Sequence, residues 1–202
     1  MKKRIKSSSV TNGKIQIINK KEVRFITAML RSLTNVYLTG GAVIDIMDGV
    51  TPKDYDLYST SPGEVKKKLE DAGCEWVKES DYSITYVKGV ITIQLLKESD
   101  KSKLGEFSIS RSMFHLNKGT LEIDEDSYIN DALVPIGIKD VDKAMNCLSR
   151  IPHWNKKGYT LSDDLYFSLL NSVKSELDKG GFLSGILSKK KADDNNYYPY
   201  NS

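Results

Sequence analysis

The sequence predicts an α+β fold: a small mixed sheet flanked by helices, followed by a C-terminal helical segment. Three observations lead there. The strand-like runs VYLTG and DYDLYST lie on either side of AVIDIMDG, a stretch long enough for about two helical turns. YSITYVKG and VITIQLLK are rich in β-branched and aromatic residues and meet at Lys88-Gly89, a hairpin signal. After about residue 126 the apolar residues return at helical spacing. With 202 residues and 39% apolar content, the chain suits one globular unit with a small helical appendix.

In chain order, KKEVRFITAMLRSL carries Val23, Ile26, Met29, Leu30 and Leu33 at helical spacing and feeds the strand VYLTG, which stops at Gly40-Gly41. The helix AVIDIMDG ends where Gly49 and Pro52 break it, and DYDLYST alternates charged and apolar residues as a strand does. Ser61-Pro62-Gly63-Glu64 reads as a capping box with proline at the first helical position; it launches EVKKKLEDAG, which Gly73 closes. The hairpin at Lys88-Gly89 follows. FSISRSMFHLNKGTLEI reads as a further strand pair turning at Asn117-Lys118-Gly119. DVDKAMNCLSRI and SDDLYFSLLNSVKSELDKGG are the two later helices. The second takes Thr160 and Asp163 as capping box and Leu165, Leu169, Val173 and Leu177 as buried stripe.

Both ends read as tails. MKKRIKSSSVTNG packs four basic residues and three serines before any apolar periodicity, and KKKADDNNYYPYNS has no face to bury. Lys189, Lys190 and Lys191 followed by Tyr197, Tyr198 and Tyr200 have a second reading, as a basic and aromatic arm for nucleic acid. The expected organisation is a flexible basic N-terminus at 1–13, a sheet domain at 14–125, a helical segment packed on it at 126–187 and a disordered tail at 188–202. A formal charge of +3 permits a nucleotide or RNA partner without demanding one. Cys74 and Cys147, with no secretory leader before them, suit two buried thiols in a cytoplasmic setting. No apolar run reaches the length of a membrane helix, so no membrane partner is expected. His115 and His153 lie apart from both cysteines, which leaves a zinc site without supporting spacing. Trp76 and Trp154 read as core or packing residues rather than base-stacking platforms.

The stretch that concentrates chemistry is VYLTGGAVIDIMDGVTPKDYDLYS, residues 36 to 59. A glycine pair at a strand end turns the backbone tightly without Cβ clashes, and N–H groups at the start of the next helix face whatever sits there, which suits phosphate. Asp54 and Asp56, two apart on the following strand, share a face, so their carboxylates can hold one or two divalent cations. Mg²⁺ favours a few carboxylate oxygens together with substrate phosphates. The bland alternative is a tight turn with two solvated edge-strand aspartates.

These residues resemble the nucleotidyltransferase superfamily that includes DNA polymerase β, and most closely the head domain of CCA-adding tRNA nucleotidyltransferases and bacterial poly(A) polymerases. The family's mark is a Gly-Gly or Gly-Ser turn, a short helix and an Asp-x-Asp on the next strand. Here these are Gly40-Gly41, the helix from Ala42 to Met47 and Asp54-Tyr55-Asp56-Leu57, with twelve residues between the second glycine and the first aspartate. The finer pattern GGAVRDLLLGRxPxDxDL is visible in GGAVIDIMDGVTPKDYDL, and EFSISRSMF at 106 to 114 is similar to the family's DFTINAMAY. The compact size resembles small phage-encoded or toxin-type members.

The resemblance implies a palm fold in which Asp54 and Asp56 are catalytic and bind Mg²⁺ (or Mn²⁺), while Gly40 and Gly41 hold the phosphates of an incoming NTP, ATP or CTP. The implied reaction moves NMP from that NTP to an acceptor hydroxyl, an RNA (tRNA) 3′ end, and releases pyrophosphate. The resemblance departs at several points, and the family's downstream Glu-Asp-x-x-Arg signature for selecting C and A is not apparent. The family's arginine after GGAV is Ile44, the Arg-Arg before the second block is Leu104-Gly105, and the later carboxylate of many relatives falls near Gln94. Lys53 and Arg111 are the cations placed to substitute as nucleotide-binding residues. The same departures support an alternative, a catalytically silent palm that binds nucleotide or RNA.

Overall fold

The structure is a computed structural model that describes residues 10–138 and 140–178. Two compact units divide between residues 136 and 137, later in the chain than the 125/126 boundary expected from sequence. Residues 126–136 belong with the sheet for local reasons. The short helix α5 (Glu125–Ile129) sends the Tyr128 hydroxyl to the Asp48 carboxylate at 3.3 Å. Beyond it, the backbone of Val134 and Ile136 exchanges hydrogen bonds with Ser108 and Glu106.

The first unit is built on a seven-stranded sheet. Its strands are β1 (Val36–Thr39), β2 (Tyr55–Ser59), β3 (Glu75–Glu79), β4 (Ser83–Lys88), β5 (Ile91–Leu96), β6 (Met113–His115) and β7 (Leu121–Glu122). The spatial order is β3-β4-β5-β2-β1-β6-β7. Only the β2–β5 pair is parallel, which makes the sheet mixed. Helices α3 (Gly41–Met47) and α4 (Pro62–Asp71) pack on β1, β2 and β5, while α1 (Val10–Asn19) backs α3 and α2 (Lys21–Leu30) backs α4. Because side chains alternate along a strand, Tyr55 and Leu57 of β2 are buried toward this helical layer. So are Ile93 and Leu95 of β5. The opposite face of the same strands carries Asp56 and Gln94, with Asp54 directly before β2.

Helix α1 enters the stretch expected as a tail; residues 1–9 lie outside the described residues. Its fit to α3 explains why propensity missed it. A Cβ on Gly13 would meet the tip of the Met47 side chain at 2.5 Å, so the glycine that weakens the helix locally packs closely on α3. Gln16, with its amide turned to satisfy its surroundings, donates to the carbonyls of Ile46 and Met47 at the end of α3.

Helix α4 starts where the proline places it, but Ser61 makes no side-chain cap bond, so the expected capping box does not form. At its other end the motif is complete. The Gly73 N–H reaches the Glu70 carbonyl, the Cys74 N–H reaches that of Leu69, and Gly73 holds φ at +72°. Strand β3 has no alternation to announce it, since every residue in EWVKE is exposed at the sheet edge. Trp76 is accordingly 59% exposed, which corrects the expectation of a packed residue. The hairpin between β4 and β5 turns on Gly89, at φ +60°, and Val90. The first half of FSISRSMFHL is not a strand. Ser110 Oγ accepts from the Phe107 N–H and donates to the Phe107 carbonyl, closing a tight turn where extension was expected. The extended pair is β6 with β7, joined through Gly119.

In the second unit, α6 (Val141–Lys156) packs against α7 (Asp163–Asp178). Asp140 caps α6 by accepting from the Lys143 N–H at 2.8 Å. The helix runs through Pro152, past the Ile151 end expected from sequence, and delivers Trp154 to the interior, where it stands edge-on to Tyr159 at 5.6 Å. Ser162, not Thr160, lies at the start of α7, accepting from the Leu165 N–H. Of the expected stripe, Leu169 is buried, Val173 is half-buried and Leu165 is 37% exposed. The Leu177 side chain lies outside the described residues, as do Lys189 to Lys191 and the tyrosines after them. Cys74 and Cys147 are buried and neither is joined in a disulfide, and no helix of the described residues is long and apolar enough to cross a membrane.

Candidate active site

Strand β1 ends at Thr39, and the chain reverses through Gly40 with φ +65° and ψ −136°, a combination suited to glycine. The turn is clamped from below. The Gly40 N–H and the Thr39 hydroxyl both donate to the Ser112 carbonyl, at 2.9 and 3.1 Å. Ser112 lies in the second sequence block, whose structural part is thus to hold the glycine turn. A Cβ built on Gly40 would stand 3.8 Å from Asp56 Oδ2 and 3.6 Å from the Ser110 carbonyl. The Asp56 carboxylate therefore opens onto the hollow that the glycine leaves.

Asp54 and Asp56 are half-buried and lie on the same face, with Tyr55 buried between them on the other. In the parallel β2–β5 ladder Asp56 is in register with Gln94. The Gln94 amide donates to Asp54 Oδ2 at 2.9 Å. Sequence reading treats Gln94 only as a missing ligand. Its hydrogen bond to Asp54 depends on a strand register between distant segments that no local pattern encodes.

The structure places the other expected residues as follows. Gly41 opens α3 directly after the turn. Lys53 is exposed beside Asp54. Arg111 is half-buried, and its guanidinium donates to the carbonyls of Leu104, at 2.7 Å from Nε, and of Ser102. It thereby ties down the segment after β5, which is further held by the Tyr58 hydroxyl on the Ser99 carbonyl at 2.8 Å. Ile44 is fully buried in the core of the first unit.

Among the described residues no group of three or more His, Cys, Asp or Glu side chains is placed to share a metal ion. His115 is buried, with Nδ1 accepting from the Lys118 N–H. The two-carboxylate set with an open cradle at Gly40 nevertheless fits Mg²⁺, which needs only one or two protein carboxylates when substrate phosphates supply further oxygens.

The sequence matches no protein-family profile, and no curated protein matches it. Solved structures do resemble the fold. The Thermotoga maritima CCA-adding enzyme complexed with tRNA aligns at a TM-score of 0.62 and 16% identity, over 83% of this chain and 46% of that one. A CCA-adding enzyme with ATP aligns at 0.63 and 15% identity, over 85% and 48%. One with CTP aligns at 0.61 and 16% identity, over 86% and 45%. The chain thus spans a little under half the length of these three. The likeness is one of fold: here a seven-stranded mixed sheet flanked by helices, similar to the fold of these CCA-adding enzymes.

Proposed function

We propose that the protein is a divalent-metal-dependent nucleotidyltransferase that moves NMP from an NTP, ATP or CTP, to an acceptor hydroxyl and releases pyrophosphate. The acceptor proposed is an RNA 3′ end, and specifically tRNA. The observation that carries the reading is the pair Asp54 and Asp56 beside the glycine turn, with Asp56 Oδ2 3.8 Å from where a Cβ on Gly40 would stand.

Each residue has a physical task. Asp54 and Asp56 would hold the cation, Asp56 from within β2 and Asp54 from the residue before it, held by the Gln94 amide. Gly40 contributes space rather than a donor, because its N–H is already given to Ser112. Gly41 lets the following backbone approach a phosphate closely. Lys53, exposed next to Asp54, is the cation placed to meet the triphosphate, and Arg111 joins it only by leaving the Leu104 and Ser102 carbonyls. A bound Mg²⁺ supplies charge stabilisation to the phosphates and lowers the barrier to in-line displacement at the α-phosphorus. The protein's remaining contribution is positioning, which is most of what phosphoryl transfer asks of an enzyme.

A second reading, a silent palm that binds nucleotide or RNA, is favoured by the burial of Ile44 and the engagement of Arg111 elsewhere. One experiment separates the two. Purified protein is incubated with Mg²⁺, each α-labelled NTP in turn and total RNA, beside an Asp54→Ala/Asp56→Ala variant. Label moved to RNA by wild type alone supports the enzyme. No transfer with nucleotide binding intact supports the silent palm.

A further inference from the structure

We infer that Gln94 is a positioning residue: its amide holds Asp54 and keeps the site at two carboxylates, so a divalent cation binds tightly only when nucleotide phosphates arrive with it. The inference rests on the nucleotidyl-transfer reading for the identity of the site, and deepens it.

Three features carry it. A carboxylate can only accept, so the Gln94 nitrogen must be the end facing Asp54 Oδ2, at 2.9 Å. The strand that carries it has little freedom, because Ile93 and Leu95 on either side are buried to 1% exposure or less and β5 is hydrogen-bonded to both β2 and β4. Gln94 is also the register partner of Asp56 in the β2–β5 ladder, so the residue beside one acid is bonded to the other.

Two consequences follow from general chemistry. An outer partner that orients a ligating carboxylate typically sets metal affinity by about 10–100-fold. A neutral amide in that place leaves the cation with two protein charges, and Mg²⁺ gives up water reluctantly for so few. The phosphates of the nucleotide then become a required part of the binding site, and the protein discriminates against free metal.

The test follows free Mn²⁺ by its electron paramagnetic resonance signal, in wild type, Gln94→Glu and Gln94→Met. Each is measured alone and with a non-hydrolysable NTP analogue, taking Mn²⁺ binding beyond that of the analogue without protein, with thermal unfolding recorded for every protein. Wild type is expected to bind Mn²⁺ at least about 10-fold more tightly with the analogue than without it. Gln94→Glu, which adds a third carboxylate at nearly unchanged volume, is expected to tighten nucleotide-free Mn²⁺ binding by about 10-fold or more. Gln94→Met, of similar length and unable to donate, is expected to weaken binding in the presence of the analogue by about 10–100-fold.

Nucleotide-free Mn²⁺ affinity unchanged in Gln94→Glu overturns the inference, as does a folded Gln94→Met with wild-type affinity in the presence of the analogue. If Gln94→Met does not fold, the Gln94→Glu comparison decides alone. Because no arm requires turnover, absence of NMP transfer by wild type overturns the catalytic reading and leaves the Mn²⁺ result to judge Gln94.

Discussion

Asp54 and Asp56 share a face for a reason visible in four letters, since two residues apart on a strand always point the same way. Replacing either with Asn is expected to lower NMP transfer by at least about 10²-fold, the scale at which removal of a charge-stabilising group acts, while thermal unfolding stays near wild type. Single-turnover assays beside melting curves check this. Gly40→Ala tests the hollow. A side chain at φ +65° costs about 1–3 kcal/mol, so the variant should melt lower as well as lose activity.

His115 and Asp124 are expected to contribute to the acid response at different pH. Burial, helped by nearby Lys118, pushes the imidazole below its ordinary 6.5. The neutral ring is therefore favoured in the folded state, the unfolded chain binds more protons, and stability is lost as pH falls from about 6.5 toward the folded value. Around the ring, Lys118 opposes protonation and Glu122 favours it. Asp124 shifts in the opposite sense to a buried acid. Hydrogen bonds from Ser108 and Ser127 hold its carboxyl below 3.8, so its contribution is present above that value and disappears only in stronger acid. Denaturant midpoints measured across pH should fall below about 6.5 in wild type, and His115→Gln should flatten that first decline.

At the scale of elements, two caps that look alike in sequence should behave differently. Asp140 accepts the Lys143 N–H, and Asp140→Ala should cost about 1 kcal/mol. Ser61 makes no side-chain cap bond, so Ser61→Ala should leave the denaturant midpoint nearly unchanged. Equal losses at both positions would contradict the geometry. The elements also divide by how they announce themselves. Helix α2 shows its buried face in Val23, Ile26 and Leu30, and β4 and β5 declare a hairpin through β-branched runs around Gly89. Strand β3 shows nothing of the kind, because an edge strand with every side chain exposed has no face to keep apolar. Helix α1 is hidden by Gly13, whose value lies in contact with Met47.

At the scale of the whole molecule, the division between residues 136 and 137 predicts that residues 1–136 fold as a unit when produced alone. Their sheet, four helices and α5 bury their own core. The excised fragment should show a single cooperative thermal transition and retain the metal and nucleotide response of the full chain. Loss of cooperativity would place part of its core elsewhere.

The sequence by itself determined the strand, glycine turn, helix and Asp-x-Asp order, because each depends on neighbours within a few residues: φ freedom at Gly40, period two at Asp54 and Asp56. It also determined the α+β class, since periodicity switches between two and 3.6 along the chain. The tertiary structure alone decided that the Gly40 N–H is given to Ser112, that Arg111 ties down the segment after β5, and that Gln94 holds Asp54. Each of these joins groups brought together by sheet register or chain return, and pairing between distant segments leaves no trace in local spacing.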